Sequence, residues 1–70
     1  MSDVKSPMTG TIVKLLAQIG SPVESGQQLA LIESMKLEIP VESDASGVLK
    51  SYLVAEGDFI EEGSTIAVVE

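Results

Sequence analysis

The chain carries the same sequence pattern twice. When residues 4–33 are placed above residues 41–70, an offset of 37 positions without a gap, nine of the thirty aligned positions are identical. The identical pairs are Val4 with Val41, Ser6 with Ser43, Gly10 with Gly47, Leu16 with Leu53, Gly20 with Gly57, Glu24 with Glu61, Gly26 with Gly63, Ala30 with Ala67, and Glu33 with Glu70. Two copies are too few for a solenoid, which needs about three or more repeats. We therefore expect a pseudo-twofold arrangement in which each copy covers the other's apolar face.

Each copy consists of short segments that are rich in Val, Ile, Leu and Thr and separated by glycines. TIVKLL (11–16) and VLKSYL (48–53) are corresponding strands, and so are QLALIE (28–33) and TIAVVE (65–70). This composition and spacing favour strand over helix. Several short antiparallel strands in each half predict an all-β fold, either a small sandwich or a flattened barrel.

Glycines at matching positions predict the turns. ESGQ (24–27) and EEGS (61–64) have the composition of tight hairpin turns, in which Gly26 and Gly63 supply a positive φ without steric cost. A substitution of either glycine by alanine is expected to lower the melting temperature.

Two further predictions concern packing. Gly10 and Gly47, identical in register, are expected at a bulge or at a close approach of two backbone segments. Phe59, one of the two aromatic residues of the chain, aligns with Pro22 and adjoins an apolar position that recurs in both copies. We therefore expect Phe59 in the core.

Composition argues against several classes of function. The chain has no cysteine and no histidine, so it lacks the usual zinc ligands and the residues of Ser/His or Cys/His nucleophilic catalysis. A net charge of −7 argues against nucleic acid or an anionic membrane as a partner. The apolar runs are too short to span a bilayer and the N-terminal MSDVKSPM lacks a signal peptide's apolar stretch, so a cytoplasmic location is expected.

Lys36 lies in the short segment between the two copies. Copy one ends at Glu33, and LEIPV (37–41) aligns with the strand that opens the chain. A parallel crossover needs about a dozen residues, so a tight antiparallel turn must join these strands, with Lys36 at or beside its tip. Pseudo-symmetry then places both chain ends opposite Lys36. The alternation in SMKLEI (34–39) is also typical of a half-buried strand with a solvated lysine, but the repeat favours the turn.

ESMKLEIP (33–40) resembles the attachment motif of the biotinyl domain family, in which a biotin protein ligase acylates a lysine between two methionines at a hairpin tip. SPMTG (6–10) and VESGQQLALIE (23–33) also resemble segments of that family, so the resemblance covers essentially the whole chain. It implies a single biotinyl domain over residues 1–70, folded as a flattened barrel of two four-stranded antiparallel sheets.

The resemblance assigns roles to three residues. Lys36 is implied to carry covalent biotin, and Met35 and Leu37 are implied to be the neighbours that the ligase recognises. Leu37 stands where the family has its second methionine, a substitution of similar volume. The resemblance implies a non-catalytic, monomeric biotin carboxyl carrier whose arm shuttles carboxyl between biotin carboxylase and carboxyltransferase components. The implied partners are those two components and the biotin protein ligase.

Two other functions fit parts of the same sequence. A lipoyl domain resembles this fold and also presents a lysine on a hairpin, but that lysine typically follows an aspartate and precedes alanine or valine. Met35 before Lys36 favours biotin. The second is an unmodified acidic interaction module in which exposed Met35 and Leu37 bind a partner. Whether Lys36 is modified would distinguish the interaction module from both the biotin carrier and the lipoyl carrier.

Overall fold

The computed structural model describes residues 2–70. These residues contain eight strands and no helix. The strands are β1 (Ser2–Lys5), β2 (Gly10–Leu15), β3 (Pro22–Val23), β4 (Gln28–Ser34), β5 (Leu37–Glu42), β6 (Gly47–Tyr52), β7 (Phe59–Ile60) and β8 (Thr65–Val69). They form two four-stranded antiparallel sheets, with orders β1-β8-β6-β3 and β5-β4-β2-β7. The predicted all-β architecture is confirmed. Within these residues there is no helix long and apolar enough to cross a membrane.

The internal repeat of the sequence corresponds to an approximate twofold symmetry in the order and register of the strands. A shift of 37 residues maps β1, β2, β3 and β4 onto β5, β6, β7 and β8, and converts the order of one sheet into the order of the other. Val4 pairs with Ala67 in the first sheet, as Val41 pairs with Ala30 in the second. Corresponding strands lie in opposite sheets, and each sheet takes two strands from each copy. The copies therefore interlock, which is a closer association than one copy covering the other.

The core repeats the same symmetry. The buried apolar residues form six pairs related by the repeat: Val4 with Val41, Ile12 with Leu49, Val23 with Ile60, Leu29 with Ile66, Ala30 with Ala67, and Ile32 with Val69. Ser6 and Ser43 are also buried, and their hydroxyls donate to the carbonyls of Met8 and Ala45 two residues along. Each sheet contributes one member of every pair, so neither sheet has a core without the other.

Both predicted glycine turns are present, although they are not hairpins. Gly26 has a φ of 89° and Gly63 a φ of 86°, and the N–H of Gln27 donates to the carbonyl of Glu24 at 3.0 Å. The turns link β3 to β4 and β7 to β8, and the strands in each of these pairs belong to different sheets. The hairpin prediction was wrong because β3 and β7 end after two residues and the chain crosses to the other sheet.

Gly10 allows β2 to approach β4 closely. A Cβ on Gly10 would lie 2.5 Å from the carbonyl oxygen of Glu33 and 2.5 Å from Cγ2 of Ile32. Gly47 has the equivalent position against the carbonyl of Glu70. The predicted close backbone approach is confirmed, and at Gly10 it supports the end of β4.

Phe59 is not in the core, since 69% of its surface is exposed. Neighbouring residues of a strand point to opposite faces, so Phe59 points outward because Ile60 points inward. The other aromatic, Tyr52, is half-buried against the core. Its hydroxyl donates to the carbonyl of Leu29 at 2.8 Å and accepts from the N–H of Ala17 at 3.1 Å. Tyr52 thus joins β6 of one sheet to β4 of the other.

The two ends of the described chain, Ser2 and Glu70, lie at the opposite end of the molecule from Lys36. Val48 donates to the carbonyl of Glu70 at 2.7 Å and pairs with β3, which leads through residues 24–27 into the start of β4. Seven residues of β4 then extend for about 20 Å before the connection that contains Lys36. β1 pairs alongside β8, which brings the start of the described chain to the same end as Glu70. The predicted placement is confirmed.

Substitutions at Gly26 test the turn conformation. Nothing lies within 4 Å of a Cβ placed there, so Gly26→Ala is limited by the positive φ alone and should lower the free energy of unfolding by about 1–2 kcal/mol. Asn tolerates that conformation better, so Gly26→Asn should lose less. At Gly10, where the close contact is limiting, Asn should be worse than Ala. Urea denaturation measures all four variants, and the same order of Ala and Asn at both sites would contradict this account.

Tyr52→Phe removes the hydroxyl that joins the sheets. We expect about 1–3 kcal/mol lower stability at neutral pH, because the carbonyl of Leu29 and the N–H of Ala17 lose their partner. Burial raises the pKa of Tyr52 above 10.0. The folded state then holds this proton more tightly than the unfolded state, so the contribution is full below about pH 10 and is lost as the pH rises further.

The difference in the free energy of unfolding between wild type and Tyr52→Phe should therefore stay constant up to about pH 9 and narrow as the pH rises above about 10. Urea denaturation of both proteins from about pH 8 upward provides the comparison. A difference that stays constant or widens above about pH 10 would show that the hydroxyl proton is not held by the fold.

Candidate functional site: a lysine hairpin

Lys36 lies at the tip of the hairpin that joins β4 to β5. The two strands pair as far as Ser34 and Leu37, which leaves only Met35 and Lys36 in the loop. Their φ angles are 52° and 66°, both in the left-handed region. Two consecutive positive φ values in a two-residue loop define a type I′ turn, whose twist matches that of the flanking strands. The tight turn predicted from the repeat is confirmed.

The turn is built from residues that are poorly suited to it. Type I′ turns favour Asn-Gly because both central residues need positive φ. An ordinary L residue in that conformation costs about 1–2 kcal/mol. Met35 and Lys36 are the non-glycine residues with positive φ in residues 2–70. Regular pairing of the last five residues of β4 with β5, together with the close support at Gly10, holds them there. Strain of this kind is characteristic of functional sites.

Three side chains at the tip face solvent. Met35 is 92% exposed and Leu37 is 65% exposed, and Lys36 is exposed as well. Two apolar side chains therefore flank the lysine on the surface, where burial gives no reason for them. The alternative of a half-buried strand is wrong for this segment, because the chain reverses at the positions where the alternation would have continued.

The Lys36 ammonium is not held by a carboxylate. Among residues 2–70 the ion pair that forms is between Lys50 and Glu70, at 2.7 Å. Its hydrogen bond holds the pKa of Glu70 below its usual range, and it lies at the end of the molecule that carries the chain terminus. Lys36 thus projects an unencumbered amine into solvent, which suits covalent attachment of a flexible group.

The base of the hairpin is acidic. Glu33 and Glu38 lie directly opposite each other on β4 and β5, and both are exposed. Like charges in this arrangement destabilise a sheet, so local stability does not explain them. They place negative charge beneath a positively charged tip. Elsewhere, residues 2–70 contain no group of three or more carboxylates arranged to hold a metal ion.

Sequence reasoning missed Phe59 as a surface residue. Phe59 pairs with Thr11, and Thr11 pairs on its other side with Glu33 at the base of the hairpin. The alternation of a strand was the signal that could have placed it, since Ile60 matches the apolar Val23 of the other copy. The other candidates, Lys36, Met35 and Leu37, are brought together at the tip.

The scaffold and its site define a class of protein. A rigid pair of sheets presents one free lysine on a strained two-residue loop at one end and leaves the chain termini at the other. This geometry suits the display of a side chain that another protein can reach. A sequence profile described as "Biotin-requiring enzyme" matches residues 2–69. The chain belongs to the biotin/lipoyl attachment domain family. Domains of this family are carriers and not catalysts, and the chain is such a carrier.

Three similar proteins differ in what their names say they carry. The biotin/lipoyl attachment protein of Bacillus subtilis is 41% identical over 63 residues, which cover 90% of this chain and 86% of that protein. The biotinylated protein TB7.3 homolog of Mycobacterium leprae is 34% identical, over 96% of this chain and 94% of that one. The dihydrolipoyllysine-residue succinyltransferase component of Staphylococcus saprophyticus is 39% identical, over 99% of this chain but 18% of that one.

A solved structure agrees with the fold. The urea carboxylase of Kluyveromyces lactis matches with a TM-score of 0.93 and 35% identity, over 99% of this chain and 6% of that chain. The first two relatives are close to this chain in length, whereas the succinyltransferase component and the urea carboxylase are much longer. The same unit thus occurs in proteins of very different size.

Replacement of the tip by Asn-Gly tests the strain. Met35→Asn/Lys36→Gly gives the turn the residues that it favours and sacrifices no burial, because Met35 and Lys36 are exposed. We expect the free energy of unfolding to rise by about 1–2 kcal/mol. The matched control is Met35→Ala/Lys36→Ala, which keeps a Cβ at both positions and should not be stabilised. If the Asn-Gly variant is no more stable than the control, the turn carries no strain.

Proposed function

We propose that residues 1–70 form one biotinyl domain that serves as a biotin carboxyl carrier, with biotin attached to Lys36. The observation that carries the proposal is the geometry of the tip. An exposed lysine without an ion-pair partner stands between exposed Met35 and Leu37 on a two-residue turn. A ligase can reach its amine from outside without disturbing the core.

Biotin is favoured over lipoyl by the residues beside the lysine. Met35 precedes Lys36, as the lysine of the biotinyl motif is preceded by methionine, whereas aspartate is typical before a lipoyl lysine. The name of the Mycobacterium leprae relative and the family description also support biotin. Lipoyl is the second candidate, because the Staphylococcus saprophyticus relative is named for a dihydrolipoyl-lysine residue. Met35 and Leu37 are the side chains that we assign to recognition by the ligase.

Attachment needs help from the ligase. A lysine amine is protonated at neutral pH and is a poor nucleophile until a proton is removed. The chain has no histidine or cysteine to remove it. The ligase must take that proton and supply biotin as its acyl-adenylate. The neutral Nζ of Lys36 then attacks the acyl carbon, the bond to the phosphate oxygen breaks, AMP leaves with the electron pair, and a second proton leaves as the amide forms.

Once attached, biotin supplies the chemistry of carboxyl transfer between a biotin carboxylase and a carboxyltransferase, which are the partners that we propose. The residues of this chain supply reach and position. Because the chain ends lie opposite Lys36, attachment of the domain to a larger assembly would leave the tip free. A tethered group reacts at a high effective concentration, which makes the second transfer nearly intramolecular. The domain acts as a monomer in the cytoplasm in this proposal.

Intact mass with peptide mapping tests the attachment. The chain is co-expressed with a biotin protein ligase and excess biotin, and separately with a lipoate ligase and lipoate. We expect one biotinyl group on Lys36, since the other three lysines lie within strands and Lys36 stands on an exposed turn. Lys36→Arg should remain unmodified, whereas the control Lys5→Arg, an exposed lysine on a strand, should be modified as wild type is.

Two variants in the same assay test recognition. Met35→Ala should slow biotinylation, and Leu37→Met, which restores the second methionine, should not slow it. A lipoyl group in place of biotin would replace the proposal by the second candidate. A chain that accepts neither group would be an unmodified interaction module.

A further inference from the structure

Phe59 is an aromatic residue without a structural reason for its position. It is 69% exposed in a chain with two aromatic residues, and its counterpart in the repeat is Pro22. The core is complete without it, since its neighbour Ile60 fills the inward position of β7. An exposed aromatic side chain of this kind is typical of a surface that another protein covers.

Register places Phe59 on the same face as the base of the hairpin. Phe59 lies opposite Thr11, Thr11 opposite Glu33, and Glu33 opposite Glu38. Directly opposed residues of an antiparallel sheet share a face, so these four side chains form one row across β7, β2, β4 and β5. Phe59 is two strands from Glu33, about 10 Å away. A protein that contacts the hairpin therefore reaches Phe59 without a change of shape.

The row also indicates the chemistry of its partner. Glu33 and Glu38 are exposed and form no ion pair within residues 2–70. A surface that covers the row needs basic groups opposite these carboxylates and an apolar pocket for the phenyl ring. Charge complementarity of this type speeds association and weakens as salt is added.

The distance at which each partner acts from Lys36 indicates which partner covers the row. A ligase catalyses the formation of the amide bond between biotin and the Nζ of Lys36. Its surface must therefore touch the hairpin and the sheet beside it. A carboxylase acts at the far end of the biotin arm and can work with this face uncovered. The face beside the tip is therefore required in the modification step more than in later steps.

We propose that Phe59 is a specificity-determining residue that seats the biotin protein ligase on the outer face of β7, β2, β4 and β5. The inference rests on the proposed biotinylation of Lys36. Phe59 acts by holding the ligase and takes no part in the bond-forming step. Its contribution should therefore appear in KM and not in kcat.

The test is the steady-state kinetics of biotinylation with purified ligase, ATP, biotin and the unmodified domain. Phe59→Ala should raise KM for the domain about tenfold with kcat unchanged, and Phe59→Leu should recover most of the loss. The KM of wild type should also rise with NaCl. Because Phe59 is exposed, these variants should keep the wild-type melting temperature, and a thermal melt of each verifies this.

The matched control is Ile19→Ala. Ile19 is 63% exposed, and the adjacent Gly20 donates to the carbonyl of Leu49 at 2.7 Å, which pairs with Val69 near the chain terminus. Ile19 is thus an apolar residue about as exposed as Phe59, at the end of the molecule away from Lys36. Ile19→Ala should leave KM unchanged.

A second readout needs no modification of the variant. The Lys36→Ala domain should inhibit biotinylation of wild type competitively. The double variant Lys36→Ala/Phe59→Ala should be an inhibitor about tenfold weaker. If wild type is biotinylated but Phe59→Ala has the wild-type KM, or if Ile19→Ala is impaired equally, the inference is wrong and the proposed function stands. If wild type accepts no biotin, the proposed function is wrong and this inference with it.

Discussion

The structure depends on the mutual burial of two sheets that neither half of the chain can form alone. Each sheet takes two strands from each copy, and each buried apolar pair has one member in either sheet. β4, for example, pairs with β2 of its own copy and β5 of the other. A chain of 70 residues has little apolar surface to bury. Interlocking two short copies lets both sheets contribute to a single core.

The candidate site lies where the symmetry is broken. The connection between β4 and β5 is a covalent two-residue turn, whereas the equivalent position between β8 and β1 holds the chain ends. Closure at one end forces Met35 and Lys36 into positive φ, and the pairing on both sides supplies the free energy that keeps them there. The hairpin and the open end of the described chain thus occupy equivalent positions of the same twofold, at opposite ends of the molecule.

The two copies of the repeat differ at exposed positions and are similar at buried ones. The buried positions of the two copies are occupied by similar residues, yet exposed Phe59 corresponds to Pro22 and exposed Ile19 to Glu56. A packed interior accepts few changes of volume, whereas solvent-facing positions are free to differ. Differences between the copies therefore point to residues selected for something other than folding. Near Lys36 these include the exposed ring of Phe59, which suits recognition by another protein.

The sequence by itself determined the repeat, the strands, the glycine turns and the location of Lys36 on a tight turn. These follow from local rules: the period of apolar residues, the need for glycine at positive φ, and a connection too short for a crossover. It also carried the motif that indicates the family. Only the tertiary structure decided that the copies interlock, that the turns after β3 and β7 pass between sheets, and that Phe59 lies in the same row as the base of the hairpin. Such features depend on which distant strands pair, and no local pattern encodes that choice, because any strand with a suitable apolar face could have been the partner.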